Sequence, residues 1–127
     1  KGNDITLVTL SYTVELALEA SIEIAEEGIS VEVIDLRSIV PLDIKTILES
    51  VLKTKRLLVV DEDYLSFGLT GEIITRVIEN LGVSELKQIR RLAVPDVPIP
   101  AASSIEEEIM PNKNSIKNLL KLMSKGE

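Results

Sequence analysis

Three acids stand in a row at the end of a hydrophobic run, where Asp61, Glu62 and Asp63 follow Val59 and Val60. A turn containing Gly68 and Gly71 comes next, and then the start of a helix. Carboxylates suit a hard cation such as Mg²⁺, and glycines ahead of a helix are what a phosphate-binding loop uses. The spacing works against both chemistries. Adjacent residues of an extended strand point to opposite faces, so only Asp61 and Asp63 share a side. The turn reads Gly68, Leu69, Thr70, Gly71, with no lysine after it and three acids just before it. Solvated acids and a tight strand-to-helix turn are the simpler reading. A small-ligand module here would be stabilised thermally by Mg²⁺ or an anion, and no such shift is expected.

A second acidic set recurs every four residues: Glu15, Glu19 and Glu23, with Glu26 nearby. Like charges at i, i+4 on a helix cost a few tenths of a kcal/mol each, roughly. The stripe is therefore a solvated face or a docking face for a basic partner, and solvation is favoured. Glu72 falls in the first turn of its helix, where a negative charge complements the helix dipole. Arg37 can pair with Asp35 or reach a neighbouring domain, the ion pair being the simpler role.

Composition narrows the chemistry further. The chain has no cysteine and no histidine. This excludes disulfides, thiolate metal sites and a cysteine nucleophile, and removes the commonest general base near neutral pH. With 21 acidic residues against 14 basic ones the net charge is −7, which repels nucleic-acid backbones and anionic lipid surfaces. Two tyrosines and one phenylalanine leave little for bases to stack on. Neither nucleic-acid nor membrane binding is expected: no apolar run approaches the roughly 18 residues of a membrane span. The lack of cysteine fits a cytoplasmic location. A chain of 127 residues fits one domain and buries roughly two-thirds of its unfolded surface.

The elements that would position these residues alternate. Ile5 to Leu10 reads as a strand, and Thr13 is placed to cap a helix running to about Glu27, with Gly28 as its stop. Its buried face is expected at Val14, Ala17, Leu18, Ser21 and Ala25. Ile29 to Leu36 is a second strand. After Pro41, with Asp43 as N-cap, the residues Ile44, Ile47, Leu48, Val51 and Leu52 form an i, i+3, i+4, i+7, i+8 stripe. Leu57 to Val60 is continuously apolar, as in a parallel strand covered on both faces. A helix from about Thr70 to Leu81 turns Ile73, Ile74, Val77, Ile78 and Leu81 inward, with Gly82 at its end. Leu86 to Val94 is a fourth strand. Pro95, Pro98 and Pro100 then break regular structure, an acidic stretch from Ser104 to Met110 follows, and a last helix carries Ile116, Leu119, Leu120 and Met123 on one face. The order β-α-β-α-β-α-β-α indicates an α/β fold, a three-layer α/β/α sandwich with a mostly parallel (mixed) sheet, in a single domain spanning residues 1–127. Lys1 leads almost directly into the first strand with no initiator methionine, so the chain reads as a domain cut from a longer one.

Several short patterns occur in order along nearly the whole chain. Asp35, Leu36, Arg37, Pro41, Leu42 and Asp43 fit D-L-R-x-x-x-P-L-D; Lys53, Thr54 and Arg56 fit K-T-x-R, ahead of Val59, Val60 and Glu62 as V-V-x-E. Gly68, Glu72 and Ile73 fit a G-x-x-x-E-I helix start, and Arg91, Asp96, Pro98 and Pro100 fit R-x-x-x-x-D-x-P-x-P. In these the chain resembles the C-terminal domain of the transketolase superfamily. More narrowly it is similar to the beta subunit of thiamin-diphosphate-dependent 2-oxo acid dehydrogenases of the pyruvate, branched-chain 2-oxo acid or acetoin type. It departs from them at Leu10 and Ser11, where Tyr-Gly is frequent, and at Glu15, where a histidine is frequent.

The resemblance implies an oxidoreductase whose thiamin diphosphate and Mg²⁺ sit between two other domains. One of those carries a G-D-G…N motif and the other an activating glutamate. No G-D-G occurs here, so no catalytic, cofactor-binding or metal-binding residue is assigned within the chain, and alone it is expected to be inactive. The parent enzyme would decarboxylate a 2-oxo acid oxidatively and pass the acyl group to a lipoyl domain. What the resemblance leaves for this domain is assembly: contact with an alpha subunit and a second beta subunit in a heterotetramer, and docking of the small, basic subunit-binding domain of the acyltransferase core. The loop Val83, Ser84, Glu85 is the expected docking surface, with Ser84 and Glu85 as partner-binding residues. The alternative is the C-terminal domain of a transketolase or deoxyxylulose-phosphate-synthase-like transferase.

Overall fold

The computed structural model describes residues 2–9, 13–36, 44–64, 69–82, 84, 86–94 and 112–126, with backbone alone for 61–64, 69–71, 93 and 94. Among these residues four strands, β1 (Ile5–Thr9), β2 (Val31–Asp35), β3 (Arg56–Tyr64) and β4 (Gln88–Val94), alternate with four helices, α1 (Thr13–Ala25), α2 (Ile44–Thr54), α3 (Leu69–Leu81) and α4 (Lys113–Ser124). The strands lie in the order β2-β1-β3-β4, and all three pairings are parallel. Parallel neighbours require crossover connections, and the helices supply them.

Alternation along β1 divides the core into two. Ile5 and Leu7, with Leu58 and Val60 of β3, pack against Ala17, Ala20 and Ile24 of α1 and Ile116, Leu120 and Met123 of α4. Val8, with Ile34, Leu57 and Val59, faces Ile47 and Val51 of α2 and Ile73 and Val77 of α3. The sheet is thus covered on both sides, which is why β1 is buried along its whole length.

The stripes expected on α2, α3 and α4 lie inward, except that Leu52 is exposed at the outer edge of α2. The face expected for α1 needs correction. Thr13, Val14, Ala17, Ala20 and Ile24 are buried, whereas Leu18 and Ala25 are exposed and Ser21 is half-buried. Apolar residues occur all round this helix, so several faces satisfy a 3.6-residue period and the sequence does not choose among them. Thr13 opens α1 with its hydroxyl 2.7 Å from that of Thr9, both buried. β3 is longer than expected: Asp61, Glu62 and Asp63 continue the strand, past an irregularity in its pairing with β4 between Val60 and Tyr64.

The helix ends follow their sequence signals. Gly28 and Gly82 adopt φ of 85° and 82°, the left-handed conformation that glycine takes without strain. Asn112, just after Pro111, caps α4 with a reciprocal box: its side chain accepts from the Ser115 N–H at 2.9 Å, and its own N–H donates to Ser115 Oγ at 2.9 Å. Lys55, between α2 and β3, is the non-glycine residue held at positive φ, 63°, among those described. Asp43, the N-cap expected for α2, lies outside the described residues, as do the acidic stretch from Ser104 to Met110 and Arg37.

Candidate functional site

A groove lies on the β2 side of the sheet, and a short connection joins α3 to β4. The groove, about 550 Å³, is lined by Glu32, Asp35 and their neighbours on β2 and by Thr46, Glu49, Ser50 and Lys53 on α2. Glu32 points to the α2 side, where it accepts a hydrogen bond from Ser50 Oγ and lies 3.1 Å from Lys53 Nζ. The Ser50 hydrogen bond is the main reason the Glu32 carboxyl is held below its ordinary range, with Lys53 adding to it. Behind Ser50 a hydroxyl chain runs inward: Thr6 Oγ1 is 2.7 Å from Ser50 Oγ and 2.8 Å from Thr54 Oγ1. Thr54 Oγ1 also lies 3.0 Å from the Arg56 carbonyl. Since Ser50 gives its proton to Glu32, Thr6 must donate to Ser50, and the single proton of Thr54 is left to serve either Thr6 or the Arg56 carbonyl. The chain ties β1, β2, α2 and β3 together across a buried layer, a structural use of polar groups.

Ser50 is buried, with its proton engaged by Glu32, and the chain has no histidine to activate it. The described lining does not fit thiamin diphosphate. Among the described residues three carboxylates, Glu32, Asp35 and Glu49, stand against the ammonium of Lys53, and a diphosphate needs the opposite balance. Among the described residues no three acids converge as metal ligands. The side chains of Asp61, Glu62 and Asp63 lie outside the described residues, as does Gly68. Gly71 is the third residue of α3 rather than part of the preceding turn. Glu72 is in the first turn, as expected, and forms an exposed ion pair with Arg76 at 3.1 Å.

The turn proposed from the sequence for docking is anchored at both ends. The Gly82 N–H donates to the Ile78 carbonyl at 2.8 Å, Leu86 packs against the α2/α3 core, and the Lys87 N–H donates to the Lys55 carbonyl at 2.7 Å. The left-handed Lys55 aims that carbonyl at the turn. Ser84 is exposed between these anchors, while Val83 and Glu85 lie outside the described residues.

The partner of the acidic stripe on α1 was missed in the sequence. Glu23 bridges Lys113 and Lys117 of α4, each at 2.8 Å, and Glu27 meets Lys121 at 3.3 Å. Both lysine hydrogen bonds pull the Glu23 carboxyl down to about 2, and the same contact raises the Lys113 ammonium. The available signal was period matching: lysines at 113, 117 and 121 repeat with the spacing of the glutamates.

Residues 1–116 match the transketolase, C-terminal domain family. The chain belongs to that family. Among curated relatives of this transketolase C-terminal domain, pyruvate dehydrogenase E1 component subunit beta-1, mitochondrial, of Arabidopsis thaliana is 44% identical over 91% of the chain and 32% of its own length. The corresponding mitochondrial subunit beta of Drosophila melanogaster is 44% identical over 87% of the chain and 30% of its own length. Pyruvate dehydrogenase E1 component subunit beta of Rhizobium meliloti (strain 1021) is 38% identical over 94% of the chain and 26% of its own length. The chain thus spans between about a quarter and a third of the length of these relatives. A solved split-gene transketolase, an inactive beta4 tetramer, superposes with a TM-score of 0.81 at 23% identity over 95% of this chain and 39% of that one. The fold expected from the sequence is therefore the fold of the family. Among the described residues no helix is long and apolar enough to cross a membrane.

Proposed function

We propose that the chain serves as the C-terminal assembly domain of the beta subunit of a thiamin-diphosphate-dependent 2-oxo acid dehydrogenase. The observation that carries this reading is the 44% identity to an E1 beta subunit across nine-tenths of the chain. It outweighs the transketolase-like transferase reading, which rests on a solved structure at 23% identity. The names of the relatives point to pyruvate as the 2-oxo acid. Thiamin diphosphate and Mg²⁺ would be held by other parts of the parent enzyme, which would decarboxylate the substrate oxidatively and transfer its acyl group to a lipoyl domain. This chain would contribute association with the alpha subunit and a second beta subunit, and capture of the basic subunit-binding domain of the acyltransferase core. A cysteine-free composition suits a cytoplasmic setting.

Two properties support docking at Ser84 and Glu85. Gly82, Leu86 and Lys87 on either side are held by hydrogen bonds or core packing, and Ser84 between them is exposed and open to a partner. The net charge of −7 suits a basic partner, because complementary charge speeds and orients association. In a pull-down with the immobilised subunit-binding domain, the wild-type chain is expected to be retained and Glu85→Lys to be lost at lower salt. Equal retention of the variant removes this turn from the docking surface, and no retention of the wild type removes the docking role.

A further inference from the structure

The two flanks of α1 share one chemistry, yet the fold uses one of them. On the flank facing α4, Glu23 and, in the turn after α1, Glu27 receive Lys113, Lys117 and Lys121, while Ile116, Leu120 and Met123 of α4 enter the core. On the outer face, Leu18 is 45% exposed and Ile22 is 66% exposed. They stand one turn apart with exposed Ala25 beside them; exposed Glu15 and Glu19 border the strip, and exposed Glu26 lies in the turn just after the helix. Glu19 adds a longer-range attraction to Lys113, and neither Glu15 nor Glu26 is paired with a cation among the described residues.

We infer that this outer face of α1 is a docking site for a basic amphipathic helix of a partner protein. An i, i+4 apolar pair edged by acids is matched by a helix that carries an apolar stripe and lysines one turn apart. Here α4 already shows that combination seated on the neighbouring flank. The bare acids repel one another along α1, and a partner's lysines would replace that repulsion with attraction. A second copy of the chain is a poor occupant, because self-association would set Glu15, Glu19 and Glu26 against their own copies in a chain of net charge −7. An anionic membrane is disfavoured on the same ground. The site lies on the α1/α4 side of the sheet, opposite the α2/α3 side against which Leu86 packs, and it does not depend on the proposal for Ser84 and Glu85.

The test is an NMR titration of the ¹⁵N-labelled chain with a synthetic peptide of residues 112–125, which carries Lys113, Lys117, Lys121 and Lys125. It is run at about 0.15 M salt, where the screening length is about 8 Å. Saturable amide shifts are expected around Leu18 and Ile22. Ile22→Glu, a substitution at an exposed position, is expected to weaken binding about tenfold, a difference of about 1.4 kcal/mol. A peptide with its lysines replaced by glutamine is expected to bind more weakly as well. The inference is overturned by no shifts up to about 1 mM peptide, a concentration that would still register a free energy near −4 kcal/mol. It is equally overturned by shifts confined to Ile116, Leu120 and Met123, which would report exchange with the resident α4, or by undiminished binding to Ile22→Glu or of the glutamine peptide.

Discussion

The Glu23 carboxylate lies 2.8 Å from the Lys117 ammonium, 94 residues further along the chain. With Lys113 on its other oxygen, it fastens the last helix to the first. Glu23→Gln is therefore expected to lower the thermal midpoint, modestly because the pair is partly exposed. The pH dependence has a definite sign. The folded carboxyl is depressed to about 2 from an ordinary value of 4.5. Its stabilising contribution is thus complete above the ordinary value and is lost as pH falls through the folded one. Thermal melts of wild type and Glu23→Gln should differ fully at neutral pH and converge as pH drops from 4.5 towards 2.

Leu120 carries more of the attachment of α4 than the ion pairs do. It is fully buried among Ile5, Leu7 and Ile24, so Leu120→Ala removes apolar contact and leaves a cavity. The expected loss is about 2–5 kcal/mol in urea unfolding at neutral pH. A loss within the range of a surface substitution would mean that α4 is not part of the cooperative core.

Most of the fold was legible because its signals are local and repeated. β1 is rich in apolar and β-branched residues and β3 contains the apolar run of residues 57–60, α2 and α3 have one dominant stripe each, and Gly28 and Gly82 mark helix ends. The α1 face was not, since Leu18 and Ile22 are as apolar as the buried Ala20 and Ile24. Nor was the Glu23 site, because the lysines that complete it come from a helix distant in sequence, and charge spacing alone does not state which helix will lie alongside. The hydroxyl chain through Thr6 was invisible for a similar reason. Three small polar residues on two elements became partners through the placement of α2 on the sheet.

That chain yields a test of which contact governs Glu32. Ser50 is the larger influence lowering its carboxyl and Lys53 the smaller. Followed by NMR, the Glu32 titration should move upward more in Ser50→Ala than in Lys53→Ala. Ser50→Ala should also cost about 1–3 kcal/mol, the range for disturbing a buried hydrogen bond. Combined with Thr6→Val it should cost less than the sum of the two, because both residues share one network.

Lys55 at φ 63° separates backbone strain from side-chain effects. Lys55→Val places a β-branched residue in the left-handed region and should destabilise by about 1–2 kcal/mol. Lys55→Gly, measured by the same urea unfolding, should stabilise relative to the valine variant by at least as much. Equal stability of the two would show that this residue leaves the left-handed conformation in solution.

The assembly role is tested most directly by calorimetric titration of the chain, under one set of conditions, with the subunit-binding domain and with thiamin diphosphate plus Mg²⁺. Saturable binding of the subunit-binding domain that weakens with added salt, and no binding of the cofactor, is the expected result. Saturable binding of thiamin diphosphate with none of the subunit-binding domain would contradict it.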